Sequence, residues 1–312
     1  MFEIRLYNAE YKLEWDSFIR NSKNGTFLFL RDYMDYHADR FDDLSFLFFK
    51  KGKLEAVLPG NTKDNTYYSH QGLTYGGLVL TSKLSTIDVL AIFELLNRTL
   101  KEEGIERCIY KPIPLIYHRI PAQEDIYVLF RNNALKIGCN ISSTIYQNNK
   151  LKFIESRKSG IRKGANAGVT ISESNRYDLF WPILNQNLEN KHGKTAVHSL
   201  TEMNYLAQSF PENIKLYVAS LQDEIIAGTV LYITDQVIHV QYISANERGK
   251  EVGALDCLFN HLINDNLFSA SIFDFGQSTE NMGNYLNENL IFQKEGFGGR
   301  GIVYDIYEYQ IN

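Results

Sequence analysis

The chain has 312 residues, 44% hydrophobic and 22% charged, with 21 Gly, 6 Pro and a formal net charge of -5. That content excludes a disordered or low-complexity protein, and the mild acidity argues against bulk nucleic-acid affinity, DNA above all. No apolar run reaches the roughly 20 residues of a membrane span, no basic and apolar leader opens the sequence, and Cys108, Cys139 and Cys257 stand apart in apolar surroundings, so a cytoplasmic protein with core thiols is expected.

The first expected element is a helix at 9–20 with Trp15, Phe18 and Ile19 on one face. A second helix follows at 31–41, then a hairpin of strands 44–49 and 54–59 around Lys51-Gly52. Strand-like 67–80 leads into a helix at 84–103, where Leu84, Ile87, Leu90, Ala91, Leu95 and Leu96 keep a helical period. Residues 107–110 read as a strand. The second half offers helices at 176–190 and 200–209, a hairpin over 215–233 turning at 222–224, and a strand at 236–243. A helix at 253–266 and strands at 271–275 and 303–309 complete it.

The two halves repeat each other. Tyr11-x-Leu13-x-Trp15 returns as Tyr177-x-Leu179-x-Trp181, and Met34-Asp35-Tyr36-x-Ala38-x-x-Phe41 as Met203-Asn204-Tyr205-x-Ala207-x-x-Phe210. Phe46-Leu47 and Leu54-x-Ala56 match Tyr217-Val218 and Ile225-x-Ala227, and Asp88-x-Leu90 matches Asp256-x-Leu258. Each match lies about 170 residues on, in unchanged order, which is the signature of a tandem duplication. The expected fold is α/β (α+β): two domains, 1–148 and 149–312, of mixed, mostly antiparallel sheets flanked by helices. The groove between two such halves is where a ligand is expected.

Three stretches of the second half carry a resemblance to a known family. These are Arg157-Lys158-Ser159-Gly160-Ile161-Arg162-Lys163-Gly164-Ala165 with Gly168-Val169, then Phe273-Asp274-Phe275-Gly276, then Lys294-Glu295-Gly296-Phe297-Gly298. They are similar to the basic segment, the Tyr-Asp-Phe-Gly strand end and the Phe-Lys-x-Gly-Phe-Gly run of the FemAB family, tandem GNAT-fold acyltransferases that include the peptidoglycan interpeptide-bridge enzymes. Gln293 replaces the aromatic residue before the lysine, and the long helical insertion of some members is missing. Both departures favour acyl-CoA over aminoacyl-tRNA as donor.

The resemblance places Lys294 at the family's functional lysine, where a cation stabilises the transferring carbonyl; the plain alternative is a solvated lysine in a turn. It makes Arg157, Arg162 and Lys163, which cluster with Lys158, candidates for holding a phosphate; four nearby cations are otherwise an ordinary solvated loop. Asp274 comes with the strand-end motif. GNAT acetyltransferases hold CoA pyrophosphate at a Gly-rich loop that opens a helix. Arg248 and Gly253 fit that pattern, whereas Glu251 stands where a glycine belongs and would repel the anion. Strand 239–242 would line the groove of a GNAT-like half, with Gln241 on its wall and Tyr242 able to protonate a leaving group; a core tyrosine is the alternative. His192, in a polar stretch between two helices, is either a base poised near neutral pH or a surface histidine. His70 and Gln71 hold the corresponding first-half place and would form the acceptor wall. The seven histidines show no HxH or HxxxH spacing, so no metal is expected.

The reading is therefore an N-acyltransferase that uses acyl-CoA as co-substrate, with no permanently bound cofactor. It would act on an amine of a cell-envelope polysaccharide or peptidoglycan precursor, with the first domain on the acceptor side and the second on the donor side. An aminoacyl-tRNA-dependent peptidyltransferase and a non-catalytic ligand-binding module are the alternatives, and a monomer is preferred.

Overall fold

Trp15 and Trp181 do the same work in the two halves. Each lies buried in a helix, α1 (Lys12–Asn21) and α6 (Tyr177–His192). Each indole N–H donates to a main-chain carbonyl just before the next helix: Trp15 to Phe29 at 2.7 Å, Trp181 to His198 at 3.2 Å. A buried indole needs such an acceptor, so the repeated string keeps both its apolar face and its polar partner. The computed structural model describes residues 1–265 and 267–311, the side chains of Lys191 and His192 excepted. It divides into unit 1 (Met1–Ile141, Thr279–Tyr285, Val303–Asn312) and unit 2 (Ser142–Ser278, Leu286–Ile302). The sequence places one boundary at 148/149; the structure starts unit 2 at Ser142 and returns two late stretches to unit 1.

Unit 1 holds β1 (Phe2–Leu6), α1, the short α2 (Arg31–Met34), the hairpin β2 (Phe46–Lys50) and β3 (Lys53–Leu58), then β4 (Thr66–Tyr68) and β5 (Val79–Leu80). After α3 (Thr86–Glu102) come β6 (Arg107–Tyr110), α4 (Glu124–Arg131) and the first part of β7 (Leu135–Tyr146). Strands β1, β2, β3 and β5 form an antiparallel sheet in that order. β6 pairs with β4 in parallel and with the last strand antiparallel, Tyr110 opposite Tyr307. The Ser85–Asp88 capping box starts α3. Its Val89, Ile92, Phe93, Leu96 and Leu100 are buried with Phe46, Phe48, Leu58 and Tyr67, each such side chain contributing about 1.5–3 kcal/mol.

Unit 2 continues with α5 (Glu155–Ala167), β8 (Thr170–Ser174), α6, α7 (Leu200–Ser209), β9 (Ile214–Leu221), β10 (Glu224–Ile233) and β11 (Val237–Ala245). Then follow α8 (Glu247–Val252), α9 (Ala254–Asn264), β12 (Ile272–Gln277), α10 (Glu288–Gly296) and the start of β13 (Arg300–Gln310). The sheet order is β8-β9-β10-β11-β12-β7, antiparallel except for the parallel pair β11–β12. Leu258, Phe259 and Leu262 of α9 pack on Ile238, Val240, Phe273 and Phe297. The fold is thus a mixed α/β one with mostly antiparallel sheets.

Several local expectations change. The helix expected at 31–41 is α2 followed by a 3-10 stretch, Asp35–Arg40, in which His37 leaves helical geometry. The strand expected at 67–80 is broken into β4 and β5, and β1, α4 and β7 carry no expectation at all. The basic segment expected as a loop is helical. Gly160 and Gly164 weaken helix propensity, but they let α5 close on α9: a Cβ on Gly160 would lie 1.9 Å from the Asp256 carboxylate and one on Gly164 2.4 Å from Cys257 Sγ. Cys108 and Cys257 are buried, whereas Cys139 is exposed and not a core thiol.

Candidate active site

β11 and β12 pair over three residues only, Val237 with Ile272, Ile238 with Phe273 and His239 with Asp274. Beyond that point the ladder stops and the strands part. Ile238 and Val240 belong to the core under α9, so alternation turns His239 to the opposite face. β11 is bulged against β10, with Tyr242 opposite Val230 and Val240 opposite Leu231. Gln241 is the extra residue. The bulge returns Tyr242 to the face of His239, where its ring meets Trp181 edge-on at 5.3 Å.

Asp274 is completely buried. A charged carboxylate survives there only if its oxygens are bonded, and they are. Ser142 Oγ and the Gly276 amide donate to Oδ1, and Oδ2 lies 2.7 Å from His239 Nδ1. The carboxylate holds the imidazole with its proton on Nδ1, which leaves the basic lone pair on Nε2. About 12% of the His239 side chain is exposed, enough to meet a reactant.

Lys294 sits in the last turn of α10, whose start is capped by Asn287. Gly276, next to last in β12, takes a left-handed conformation, φ +75°. The Gly276 and Gln277 carbonyls accept from Lys294 Nζ at 2.8 and 2.7 Å. Burial brings the ammonium down to about 8, against the opposing pull of Asp274. An ammonium has three donors, so two are used in fixing the strand end. Lys294 is neither solvated nor in a turn.

Residues 154–283 match the acetyltransferase (GNAT) domain family. The chain carries a GNAT acetyltransferase domain. Its fold is similar to that of FemX, 10% identical, with a TM-score of 0.70 over 99% of this chain and 97% of that one. L-PGS from Bacillus licheniformis, 13% identical, gives 0.60 over 97% and 91%. A tandem GNAT protein from the clavulanic acid biosynthesis pathway, 9% identical, gives 0.50 over 100% and 99%. No curated protein matches the sequence. The GNAT domain makes the chain an acyltransferase, with the fold of the FemAB-like tandem GNAT proteins.

The expected residues of unit 2 fall into separate groups. Lys294 and Asp274 come together, though Asp274 is too deeply buried to touch a substrate and instead positions His239. That histidine escaped the sequence reading because its partner is remote in the chain; the only signal was its place on the groove strand. Tyr242 joins His198, Nδ1 to Oη 2.5 Å, and burial pushes its hydroxyl up to about 12. Gln241 lies beside the Tyr242 hydroxyl and opposes part of that rise. His192 closes α6, and its side chain lies outside the described residues.

The presumed CoA loop is closed. Residues 247–252 form α8, whose Gly249 and Lys250 amides donate to Asn246. Gly253, at φ +75°, presses on α5 so closely that a Cβ there would lie 2.6 Å from the Gly160 carbonyl. Arg248 is turned to Glu224 and Gln222, at 2.9 and 2.8 Å. Arg157 is also engaged, paired with Asp256 at 2.8 Å and lying over the Phe297 ring. Lys158, Arg162 and Lys163 remain on the exposed face of α5, Arg162 with Glu155 at 2.6 Å.

In unit 1, His70 is buried against the His37 and Phe41 rings, at 5.6 and 5.4 Å, and burial lowers it to about 3. Gln71 exchanges two 2.8 Å hydrogen bonds with Asn61. Among the described residues no group of three or more His, Cys, Asp or Glu could hold a metal, and no helix is long and apolar enough to cross a membrane.

Proposed function

We propose that this acyltransferase moves an acyl group onto a primary amine of a cell-envelope precursor, an amino sugar of a polysaccharide or a peptide stem. The observation that carries this reading is His239, held through Nδ1 by buried Asp274 where β11 and β12 part. The amine attacks the donor carbonyl and His239 Nε2 takes its proton. The carbonyl oxygen becomes an oxyanion, to which Lys294 offers its remaining N–H. As the intermediate collapses, the C–N bond stays, the bond to the carrier breaks, and the carrier's sulfur or oxygen takes a proton from Tyr242.

Acyl-CoA is the donor that a GNAT domain implies. A second reading, aminoacyl-tRNA, is favoured by the covered start of α9. At α8 the Gly249 and Lys250 amides are taken up by Asn246, whereas Lys158, Arg162 and Lys163 present a cationic face suited to a polyanion.

A transfer assay with acetyl-CoA and with charged tRNA, on amino-sugar and peptide-stem acceptors, tests both. Transfer lost in His239→Asn, with the fold retained, is the expected result. A triple charge reversal of Lys158, Arg162 and Lys163 should raise KM for the tRNA donor alone. Full turnover by His239→Asn, or no transfer with any donor, would remove the proposal.

A further inference from the structure

Unit 2 holds a groove that the acyl-transfer chemistry does not use. Its volume is about 410 Å³, within the range of small-molecule sites. Thr144 is part of its lining. In the β7–β12 ladder Thr144 stands directly opposite Asp274, so the groove begins one strand away from the carboxylate that holds His239. Directly paired residues share a face. From Thr144 the groove runs past Tyr146, Asn148, Asn149 and Leu151 to Gly298 and Arg300.

The lining has a recognisable chemistry. Tyr146 is 46% exposed, an aromatic ring left bare at the end of a strand. Asn148 and Asn149 are exposed amides, each with two donors and an acceptor oxygen. Arg300 is anchored through Nη1, which donates to the Gly299 carbonyl at 2.5 Å and the Glu295 carbonyl at 3.5 Å. Among the described residues no carboxylate lies within ion-pair distance of it. An oriented guanidinium without a protein counter-charge is suited to two parallel bonds with a phosphate or carboxylate. A flat ring, hydroxyl and amide partners, and one oriented cation together describe a host for a charged sugar.

We propose that this groove binds an anionic sugar, a sugar phosphate or a uronate, stacked on Tyr146 with its anion on Arg300. The assignment rests on the acceptor reading above: it would be the charged saccharide part of the acceptor, starting two strands from His239, on the far side of Asp274, with its amine extended toward the base.

Calorimetric titration tests this with UDP-N-acetylglucosamine, glucosamine 1-phosphate and glucuronate, and with N-acetylglucosamine as the uncharged control. A charged sugar should bind at least tenfold tighter than the control. Arg300→Gln should erase that difference, Arg300→Lys should keep part of it, and Tyr146→Ser should weaken charged and uncharged sugars alike. Tight binding of the two phosphates with none of glucuronate would name the phosphate as the anion, and the reverse would name the carboxylate. Absence of saturable binding by every charged sugar, or wild-type affinity in an Arg300→Gln protein of unchanged melting temperature, would overturn the proposal. The two readings fail separately. Sugar binding without transfer from any donor leaves the groove and removes the acceptor chemistry, whereas unchanged KM and turnover in Arg300→Gln does the opposite.

Discussion

Both halves of the duplicated chain bury a carboxylate beside a break in strand pairing, and they use it differently. In unit 1, β5 pairs with β3 and β6 with β4, and the side chain that joins β5's approach to β6 is Tyr110. Its hydroxyl accepts from the Leu78 amide at 2.6 Å and donates to Asp125 at 2.8 Å. Tyr110 is wholly buried, so the break is plugged. In unit 2 the corresponding strands β11 and β12 part after His239 and Asp274, and the carboxylate holds an imidazole that still reaches the surface. One copy of the architecture spends its buried acid on stability, the other on orienting an imidazole. The start of the long helix differs as well: α3 is capped by its own Ser85 and Asp88, whereas α9 is covered by α5.

The largest expected effect breaks the armed half. His239→Asn should lower turnover by about 10²–10⁴-fold and leave the melting temperature within a degree or two, as read by steady-state kinetics and calorimetry. Asp274→Asn should cost a similar factor through the wrong tautomer. Activity untouched in both would make unit 2 as inert as unit 1.

Next comes Lys294. Lys294→Met should cost about 10²-fold in kcat. In the parent protein, turnover should fall as pH rises through about 8, because the ammonium proposed to meet the oxyanion is lost there. The variant should lack that limb. The sign for stability is the reverse. With the folded value depressed below 10.5, the unfolded chain holds the proton longer, so the fold gains stability from pH 8 to 10.5. A limb near pH 8 that persists in Lys294→Met would assign it elsewhere.

Unit 1 should respond in stability alone. Tyr110→Phe leaves the Leu78 amide and an Asp125 oxygen without their partner, and about 1–3 kcal/mol of unfolding free energy should be lost. Turnover per folded molecule should stay unchanged. The smallest effect concerns Asp125, which burial raises to about 6. The folded state binds the proton more tightly than the unfolded one, so stability should fall as pH rises from about 4 to 6 and then level off. Asp125→Asn should flatten that slope in urea titrations.

Much of this was legible in the residues. The repeated tryptophans and the hairpins around Lys51-Gly52 and Gln222–Glu224 are local patterns, and local patterns survive folding because burial enforces them. The helix α3 was legible but its face was not: Leu96 is buried as expected, whereas Ile87 is 77% exposed and Val89, Ile92 and Phe93 enter the core instead. The helix α7 and the strand β6 fall on their expected residues. α5 was hidden, since the glycines that count against a helix in isolation are the ones that let it close on α9. The same closure turned an expected phosphate loop into the inner turns of a helix pair.

The proposed catalytic arrangement was beyond any local reading. His239 and Asp274 are far apart in sequence and become a pair only because β11 and β12 run parallel for three residues. Lys294 was visible as a motif lysine, but its neighbours, the Gly276 and Gln277 carbonyls, follow from a left-handed turn at the end of another element. By itself the sequence determined the duplication, the alternation of helices and strands, and the residue types available for acyl transfer, because periodicity and composition are properties of neighbours along the chain. Tertiary structure alone decided which side chains are buried together and which carbonyls a lysine reaches. It also decided which of two similar breaks in a sheet is filled, because those depend on contacts between residues that the chain keeps far apart.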